Sequence, residues 1–139
     1  MSVYLLDTST ISIPLWETPD PLVMKRLHQK WSECSIAAPV WHELAYGYSR
    51  LPRGTRRQRI EDFLRDVVQP SFPILPYDDA AAAWHGQERA RLEAIGRPAP
   101  FVDGQIASIA HVNNLILVTA NPRDFKNFEG LRLENWTTR

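Results

Sequence analysis

The chain has 139 residues and a mass of 16.0 kDa, which suits one ordinary domain and is too short for two. We therefore predict a single domain over residues 1–139. Sixteen basic residues balance sixteen acidic ones, so no net charge draws the chain to nucleic acid or to an anionic membrane. The single cysteine excludes an intramolecular disulfide framework and a zinc site built from several thiolates.

Targeting and membrane signals are missing from the sequence. The N-terminal segment MSVYLLDTST has no positively charged residue before its apolar run, which is unlike a secretory signal peptide. No run approaches the roughly 20 apolar residues that a bilayer span needs. A lone thiol suits a reducing compartment. We expect a soluble cytoplasmic protein with no membrane partner.

Strands and helices alternate in the first half of the chain. An apolar run predicts a short buried strand over 3–6, and Pro21 opens the first long helix. A second strand is predicted over 35–38, followed by a helix that begins at Pro39. An apolar stripe of 3.6-residue period predicts one amphipathic helix over 54–68.

The same alternation continues in the second half. A strand is predicted over 72–75, and Asp78 or Asp79 can cap the long helix after it. The next helix covers 101–112, and the segment LILVTA is the clearest buried strand. This order predicts an α/β fold with a mostly parallel central sheet. Ligands of such sheets collect outside the carboxyl ends of the strands.

Four acidic residues stand in or beside apolar elements and outside any charge run: Asp7, Glu43, Asp103 and Asp124. Two ionised carboxylates 4 Å apart repel by roughly 4 kcal/mol at an effective dielectric constant near 20. If the four converge, the site must therefore bind a proton or a cation. Carboxylate oxygens suit Mg²⁺ or Mn²⁺, and such an ion activates water for phosphodiester hydrolysis.

Each acid also has a structural explanation. Asp7 can cap the short helix that follows its strand. Glu43 and Asp103 each fall in the first turn of a helix opened by proline, where the helix dipole favours negative charge. Asp124 can begin a turn. No structural need, however, places all four acids around one crevice.

Polar neighbours of these acids have two interpretations as well. Thr8 and Ser9 can hydrogen-bond Asp7 or cap the next helix. Thr119 and Asn121 follow the LILV strand, where they can orient a water molecule at the site.

Four segments of the chain resemble the PIN domain, and specifically the VapC-type toxins of bacterial toxin–antitoxin pairs. The segments are LLDTST, VWHELAYG, FVDGQIASIA and LILVTANPRDFKNFEGL. The resemblance implies a three-layer α/β/α sandwich and an endoribonuclease that depends on Mg²⁺ or Mn²⁺. It also implies a homodimer that a VapB-type antitoxin neutralises.

The resemblance assigns roles to individual residues. It implies that Asp7, Glu43 and Asp103 are the core catalytic acids. Some family members place the fourth acid two residues after the threonine, where this chain has Asn121. We assign Asp124 as the fourth acid and third metal ligand, beside Asp7 and Asp103, with Thr8, Ser9, Thr119 and Asn121 as auxiliaries. Glu43 is expected to hold or deprotonate the attacking water.

One departure from the family pattern follows Asp103 directly. Gly104 and Gln105 stand where apolar residues are usual in the family. Since glycine weakens a helix interior, we expect a looser helix at this point.

Five arginines lie within ten positions: Arg50, Arg53, Arg56, Arg57 and Arg59. The guanidinium fork binds phosphate and carboxylate groups alike. We expect Arg53, Arg56 and Arg57 to contact RNA or the antitoxin tail. The alternative is an ordinary solvated helix face.

Other functions remain as alternatives. A non-catalytic PIN-like module would bind RNA or protein, and a housekeeping nuclease would process RNA. A haloacid-dehalogenase-type phosphatase needs a second acid where Ser9 stands, and a zinc protease needs a histidine where Tyr46 stands. Because mutually repelling acids have no use in a pure binding module, we favour the nuclease, and the small chain favours the toxin.

Overall fold

A computed structural model describes residues 1–138 as a parallel sheet flanked by helices. The strands are β1 (Tyr4–Leu6), β2 (Cys34–Ala37), β3 (Ile74–Leu75), β4 (Ile116–Val118) and β5 (Leu133–Glu134). Their order in the sheet is β3-β2-β1-β4-β5, and every neighbouring pair is parallel. The predicted α/β fold is confirmed.

Seven α-helices connect and cover these strands within the described residues. They are α1 (Thr8–Ile11), α2 (Pro21–Lys30), α3 (Ala38–Ser49), α4 (Thr55–Phe63), α5 (Gln69–Ser71), α6 (Asp79–Ala94) and α7 (Phe101–Val112). Asp20 caps α2 and Asp78 caps α6, because each carboxylate accepts backbone N–H bonds from the first turn. Gly96, with φ of +73°, lies just past the end of α6.

Two predicted boundaries between residues 54 and 75 are wrong. The single helix predicted over 54–68 is α4 followed by a π-helical turn, Leu64–Val68. The strand predicted over 72–75 begins only at Ile74, because helical structure continues through Pro70. Proline has no amide hydrogen to donate, so the turn before it cannot keep the α-helical bonding pattern.

The centre of the sheet is the most buried part of the fold. Leu5, Leu6, Leu117 and Val118 are wholly shielded from solvent. A parallel strand covered on both faces needs apolar residues at every position, which is why these segments read as continuous apolar runs. β1 and β4 are therefore fixed side by side, with Leu6 opposite Val118.

This register determines where the polar residues after the strands lie. Asp7 follows β1 and Thr119 follows β4, so both leave the sheet at its carboxyl edge. The Asp7 amide donates to the Val118 carbonyl oxygen at 3.1 Å, which extends the pairing by one residue. Among residues 1–138, no helix combines the length and apolarity that a bilayer crossing requires.

Candidate active site

The four acids predicted from the sequence line one cavity of about 170 Å³ at the carboxyl edge of the sheet. Asp7 follows β1, Glu43 lies on α3, Asp103 on the first turn of α7, and Asp124 in the 3₁₀ turn after β4. Thr8, Ser9 and Asn121 share its wall. The fold thus brings together acids that are up to 117 positions apart in sequence, from Asp7 to Asp124.

Asp7 is the most buried of the four, with 6% of its surface exposed. Its Oδ1 accepts hydrogen bonds from the Ser9 hydroxyl at 2.6 Å and from the Thr10 amide at 3.1 Å. Burial raises the pKa of this carboxyl, and the bonds from Ser9, Thr119 and Thr10 offset part of that rise. Asp7 therefore caps α1, which is the structural role predicted for it from the sequence, and it also faces the acidic cavity.

Asp103 experiences the charge of all three other acids. Burial, followed by the negative charges of Asp124, Glu43 and Asp7, raises its pKa to about 6. A carboxyl group with this pKa is protonated for part of the time near neutral pH. Asp103 is thus where mutual repulsion within the cavity is largest.

Glu43 lines the cavity, although the residue as a whole is exposed to solvent. Desolvation of its carboxyl group nevertheless raises its pKa, and the negative charge of Asp7 adds to the effect. Its predicted place in the first helical turn is wrong, because α3 begins at Ala38 and has no acid in that turn. The helix dipole therefore does not explain Glu43.

Asp124 and Asn121, the two candidates for the fourth position, both line the cavity. The Asp124 amide donates to the Asn121 carbonyl oxygen at 3.1 Å, so one tight turn presents both side chains. Asp124 is exposed. Its charge nevertheless has a larger effect on the pKa of Asp103 than that of any other acid.

Ser9 connects the two loops that form the site, which the sequence did not predict. Its hydroxyl donates to Asp7 Oδ1 and accepts the amide of Ala120 at 3.0 Å. Thr119 is fully buried outside the cavity wall, and its Oγ1 accepts the amide of Asn121 at 3.0 Å. Both hydroxyl residues thus hold backbone and carboxylate in position.

The three arginines predicted to contact RNA or antitoxin lie outside the acidic cavity. Arg53 and Arg57 line a separate hollow of about 170 Å³ around the start of α4. Arg57 donates to the Leu51 carbonyl oxygen at 3.2 Å, so part of its bonding capacity serves the local fold. Arg56 is exposed on α4.

A second cavity, of about 350 Å³, adjoins the acidic one and was not predicted from the sequence. Ser9 and Asn121 line both cavities. The remaining wall of this Trp16 cavity, as we name it, comes from Ser12, Trp16, Asp20, Ala120, Asn135 and Thr137. Because these residues come from three separate parts of the chain, no local motif could have indicated it.

The donor set of the acidic cavity suits a hard divalent cation. Its acids offer carboxylate oxygens, which are the ligands that such ions prefer. Burial raises the pKa of Asp7, Glu43 and Asp103, and the charges of neighbouring acids add to the rise at Glu43 and Asp103. Within residues 1–138, no group of three or more histidine, cysteine or acidic side chains is already positioned to hold a metal ion. The residues thus fit a divalent cation by their chemistry.

Sequence comparisons relate the chain to known ribonucleases. The PIN domain pattern matches residues 4–131. The "tRNA(fMet)-specific endonuclease VapC" of Shigella flexneri is 33% identical over 138 residues, which cover 99% of this chain and 100% of that protein. The "Toxin FitB" of Neisseria gonorrhoeae is 31% identical over 124 residues, covering 87% of this chain and 89% of that protein.

Solved structures give the same relation. FitAcB from Neisseria gonorrhoeae matches with a TM-score of 0.88 and 28% identity, over 96% of this chain and 97% of that one. DNA-bound VapBC from Salmonella typhimurium matches with a TM-score of 0.84 and 28% identity, over 98% of this chain and 99% of that one.

Proposed function

The chain belongs to the PIN-domain family, and from that premise we propose that it is a VapC-type toxin that cleaves RNA phosphodiester bonds at its acidic cavity. The observation that carries the proposal is the convergence of Asp7, Glu43, Asp103 and Asp124 on one small cavity. The pKa values of the Asp7, Glu43 and Asp103 carboxyl groups are raised there. Perturbed carboxylates that share a cleft are typical of catalytic sites. The names of the related ribonucleases support the same reaction.

Asp7, Asp103 and Asp124 would hold Mg²⁺ or Mn²⁺ in this cavity. Such an ion, when bound, lowers the pKa of water and offsets the negative charge that develops on phosphate. Ser9 keeps Asp7 in one orientation through the 2.6 Å hydrogen bond to Oδ1. Asp103, whose pKa is raised to about 6, would be held in its ionised form by a bound cation.

Glu43 is proposed as the group that binds the attacking water and accepts its proton. Its raised pKa makes it a better base near neutral pH than an ordinary glutamate. Water then bonds to phosphorus as the P–O3′ bond breaks, and the leaving oxygen takes up a proton. The expected products carry a 3′-hydroxyl and a 5′-phosphate.

A VapB-type antitoxin is the proposed protein partner, and a homodimer the proposed assembly. Solved structures similar to this chain carry the names of VapBC and FitAcB assemblies, which supports an antitoxin that binds this fold. RNA is the proposed substrate and the cytoplasm the proposed compartment. The tRNA named for the Shigella relative makes tRNA the first class to test.

A non-catalytic PIN-like module has one observation in its favour. No three acidic side chains among the described residues are preassembled around a metal position. A binding module would need no such cluster. Metal affinity and RNA cleavage therefore have to be measured separately.

Cleavage of a pool that contains tRNA, with Mg²⁺, with Mn²⁺ or with EDTA, tests the proposed function. We expect cutting that requires metal, and a loss of at least about a hundredfold in Asp7→Asn, because the proton-transfer and metal-binding network is broken. Asp79→Asn, at an exposed position on α6, is the matched control and should cut normally. Full activity in a folded Asp7→Asn variant would contradict the assignment.

Titration with Mn²⁺ in a calorimeter separates the two functions if no RNA is cut. If the unaltered protein binds Mn²⁺ and Asp7→Asn does not, the acidic cavity is a metal site and the RNA substrate is narrower than the pool tested. Absence of both cutting and metal binding favours the non-catalytic module.

A further inference from the structure

The Trp16 cavity opens beside the acidic cavity, and the two share a wall. Ser9 and Asn121 line both, so a strand that lies across the acids passes next to the second cavity. Its volume of about 350 Å³ falls at the lower end of the range for small-molecule sites. A ligand in it would therefore be connected to the reacting group.

The polar groups that the structure describes in this cavity disfavour phosphate as its occupant. Within residues 1–138, no lysine or arginine lines it, and Asp20 supplies a negative charge. Thr138, Leu22 and Val23 donate hydrogen bonds to the Asp20 carboxylate, and those bonds hold its pKa below the usual value. An ionised carboxylate in the wall repels a second phosphate and favours neutral groups with N–H donors.

Asn121 and Asn135 offer hydrogen bonds to such a group. The side-chain amide of Asn121 has no protein partner among the described residues, since only its backbone N–H and carbonyl are bonded. Asn135 uses its Oδ1 to accept two bonds from Thr137, which leaves its side-chain N–H groups for a ligand. Both amides are exposed at the cavity.

Trp16 supplies the apolar surface. Its side chain is 42% exposed, and among residues 1–138 its indole stacks on no other ring. The backbone beneath it is fixed, because the Trp16 amide donates to the Ile13 carbonyl oxygen at 2.9 Å. A large indole held at the edge of a cavity that also offers amide groups has the form of a stacking platform for a planar ring.

We propose that the Trp16 cavity binds one unstacked base of the RNA next to the phosphate that is cut. The indole of Trp16 stacks on the base, and Asn121 and Asn135 hydrogen-bond its edge. Proteins commonly recognise single-stranded RNA by such stacking and edge contacts. Trp16 is then a specificity residue, and this proposal rests on the proposed nuclease function.

RNA substrates that lack a single base test the proposal. A short single-stranded RNA that the protein cuts is prepared with an abasic site at each of the positions flanking the cut, one at a time. Base–aromatic stacking is worth about 1–3 kcal/mol, which corresponds to a change of about 5-fold to 150-fold. We expect one abasic position to lower kcat/KM by that factor.

The matching protein variant is Trp16→Ala. It should lose the same factor on intact RNA and then be nearly indifferent to the abasic position, while Trp16→Phe recovers most of the rate. Trp31→Ala is the control, because Trp31 is similarly exposed but packs on Phe72 and lines neither cavity. If Trp16→Ala shows the abasic penalties of the unaltered protein at every position, the proposal is overturned.

Failure of the nuclease function is recognised separately, as a protein that cuts no RNA at all. The cavity is then tested by binding, through quenching of tryptophan fluorescence by short single-stranded RNA. Quenching that is lost in Trp16→Phe but kept in Trp31→Phe supports the base site. Quenching that Trp16→Phe leaves unchanged, or no quenching by any RNA, overturns it.

Discussion

At the scale of single residues, Asp103 is the described carboxyl group whose pKa is raised furthest, from 3.8 to about 6. It is half-buried on the first turn of α7, where the helix dipole favours a negative charge. Three other carboxylates nevertheless push its pKa upward, along with burial. The fold therefore keeps an acid where ionisation is costly, as expected of a residue held for chemistry rather than for stability.

Asp103→Asn should stabilise the protein above pH 6 in the presence of EDTA. A rise of the pKa from 3.8 to about 6 means that the folded state holds its proton more tightly than the unfolded state does. The stability that this proton contributes is present in full below about pH 4 and is lost as the pH rises through 6. Asparagine does not ionise, so the variant does not lose stability in this range. Allowing for solvent screening, the gain at pH 7 is about 1–2 kcal/mol.

Urea unfolding at several pH values between 4 and 7 measures this effect. The free energies of unfolding of the two proteins should be nearly equal at pH 4 and diverge up to pH 6. A difference that stays constant across this range would rule out ionisation of Asp103 as its cause.

At the scale of elements, α6 and α7 pack together through a glycine. Gly104 of α7 is buried against the ring of His85 from α6, and a Cβ on Gly104 would collide with that ring. The Tyr77 hydroxyl lies 2.8 Å from His85 Nδ1 and fixes the ring. The expectation of a looser helix at Gly104 is wrong, because α7 runs unbroken over Phe101–Val112.

Gly104→Ala should destabilise the protein by about 1–3 kcal/mol through overpacking against His85. It should also lower the cleavage rate, because α7 carries the neighbouring Asp103. Gly86→Ala is the matched control: this helical glycine of α6 has open space around it, and alanine there should stabilise by about 0.5–1 kcal/mol. Thermal unfolding of both variants measures the two changes in stability. Equal effects of the two substitutions would refute the packing argument.

Glu88 of α6 holds the segment that follows the acidic turn. Its carboxylate accepts two bonds of 2.8 Å from Arg91, and its Oε1 also accepts the Glu129 amide at 2.8 Å. These bonds, first of all those from Arg91, keep the pKa of Glu88 below its usual value of 4.5. The stability they contribute is present above that pH and is lost as the pH falls.

Glu88→Gln should therefore lower the free energy of unfolding by about 1–2 kcal/mol at pH 7, since bonds from charged donors are weakened. The deficit should shrink below about pH 4. Glu93→Gln breaks a comparable but exposed pair with Arg89 and should cost less than about 0.5 kcal/mol. Chemical denaturation at pH 3.5 and pH 7 compares them, and a deficit for Glu88→Gln that does not depend on pH would contradict the ionic contribution.

Sequence patterns predicted the elements best where local chemistry marks both ends. The helix over 101–112 has the predicted bounds, since Pro100 precedes it and Asn114, with φ of +57°, follows it. The π-helical turn at Leu64–Val68 was missed, because periodicity does not distinguish a wide turn from an α-helical one. The acids were found because each stands alone in an apolar setting.

At the scale of the whole molecule, charge is distributed unevenly although its sum is zero. The acids line one cavity, while Arg53 and Arg57 line a hollow on another part of the surface. The Trp16 cavity could not be predicted, because its wall combines residues 9–20, 120–121 and 135–137. Only the folded chain brings these segments together.

Replacing Arg53, Arg56 and Arg57 together by alanine should weaken RNA binding if these side chains bind phosphates. The slope of log affinity against log salt should fall by about 1 for each arginine–phosphate pair that the substitutions remove. Arg97→Ala, which removes an exposed charge outside the cluster, is the control. Binding to an uncut RNA analogue at several salt concentrations measures this slope. An unchanged slope in the triple variant would mean that the arginines do not bind RNA phosphates and instead contact the antitoxin or only solvent.

The position of β1 in the middle of the sheet also bears on how the protein is made. β1 is synthesised first, yet one of its two neighbours is β4, whose residues 116–118 follow more than a hundred positions later. At 5–20 residues per second, a ribosome needs about 6–22 s to pass from one strand to the other. Throughout that interval the loop after β4 does not yet exist beside Asp7, and the Ser9 hydroxyl lacks the hydrogen bond from the Ala120 amide. A growing chain is therefore unable to assemble the acidic cavity until β4 and the turn after it have been synthesised.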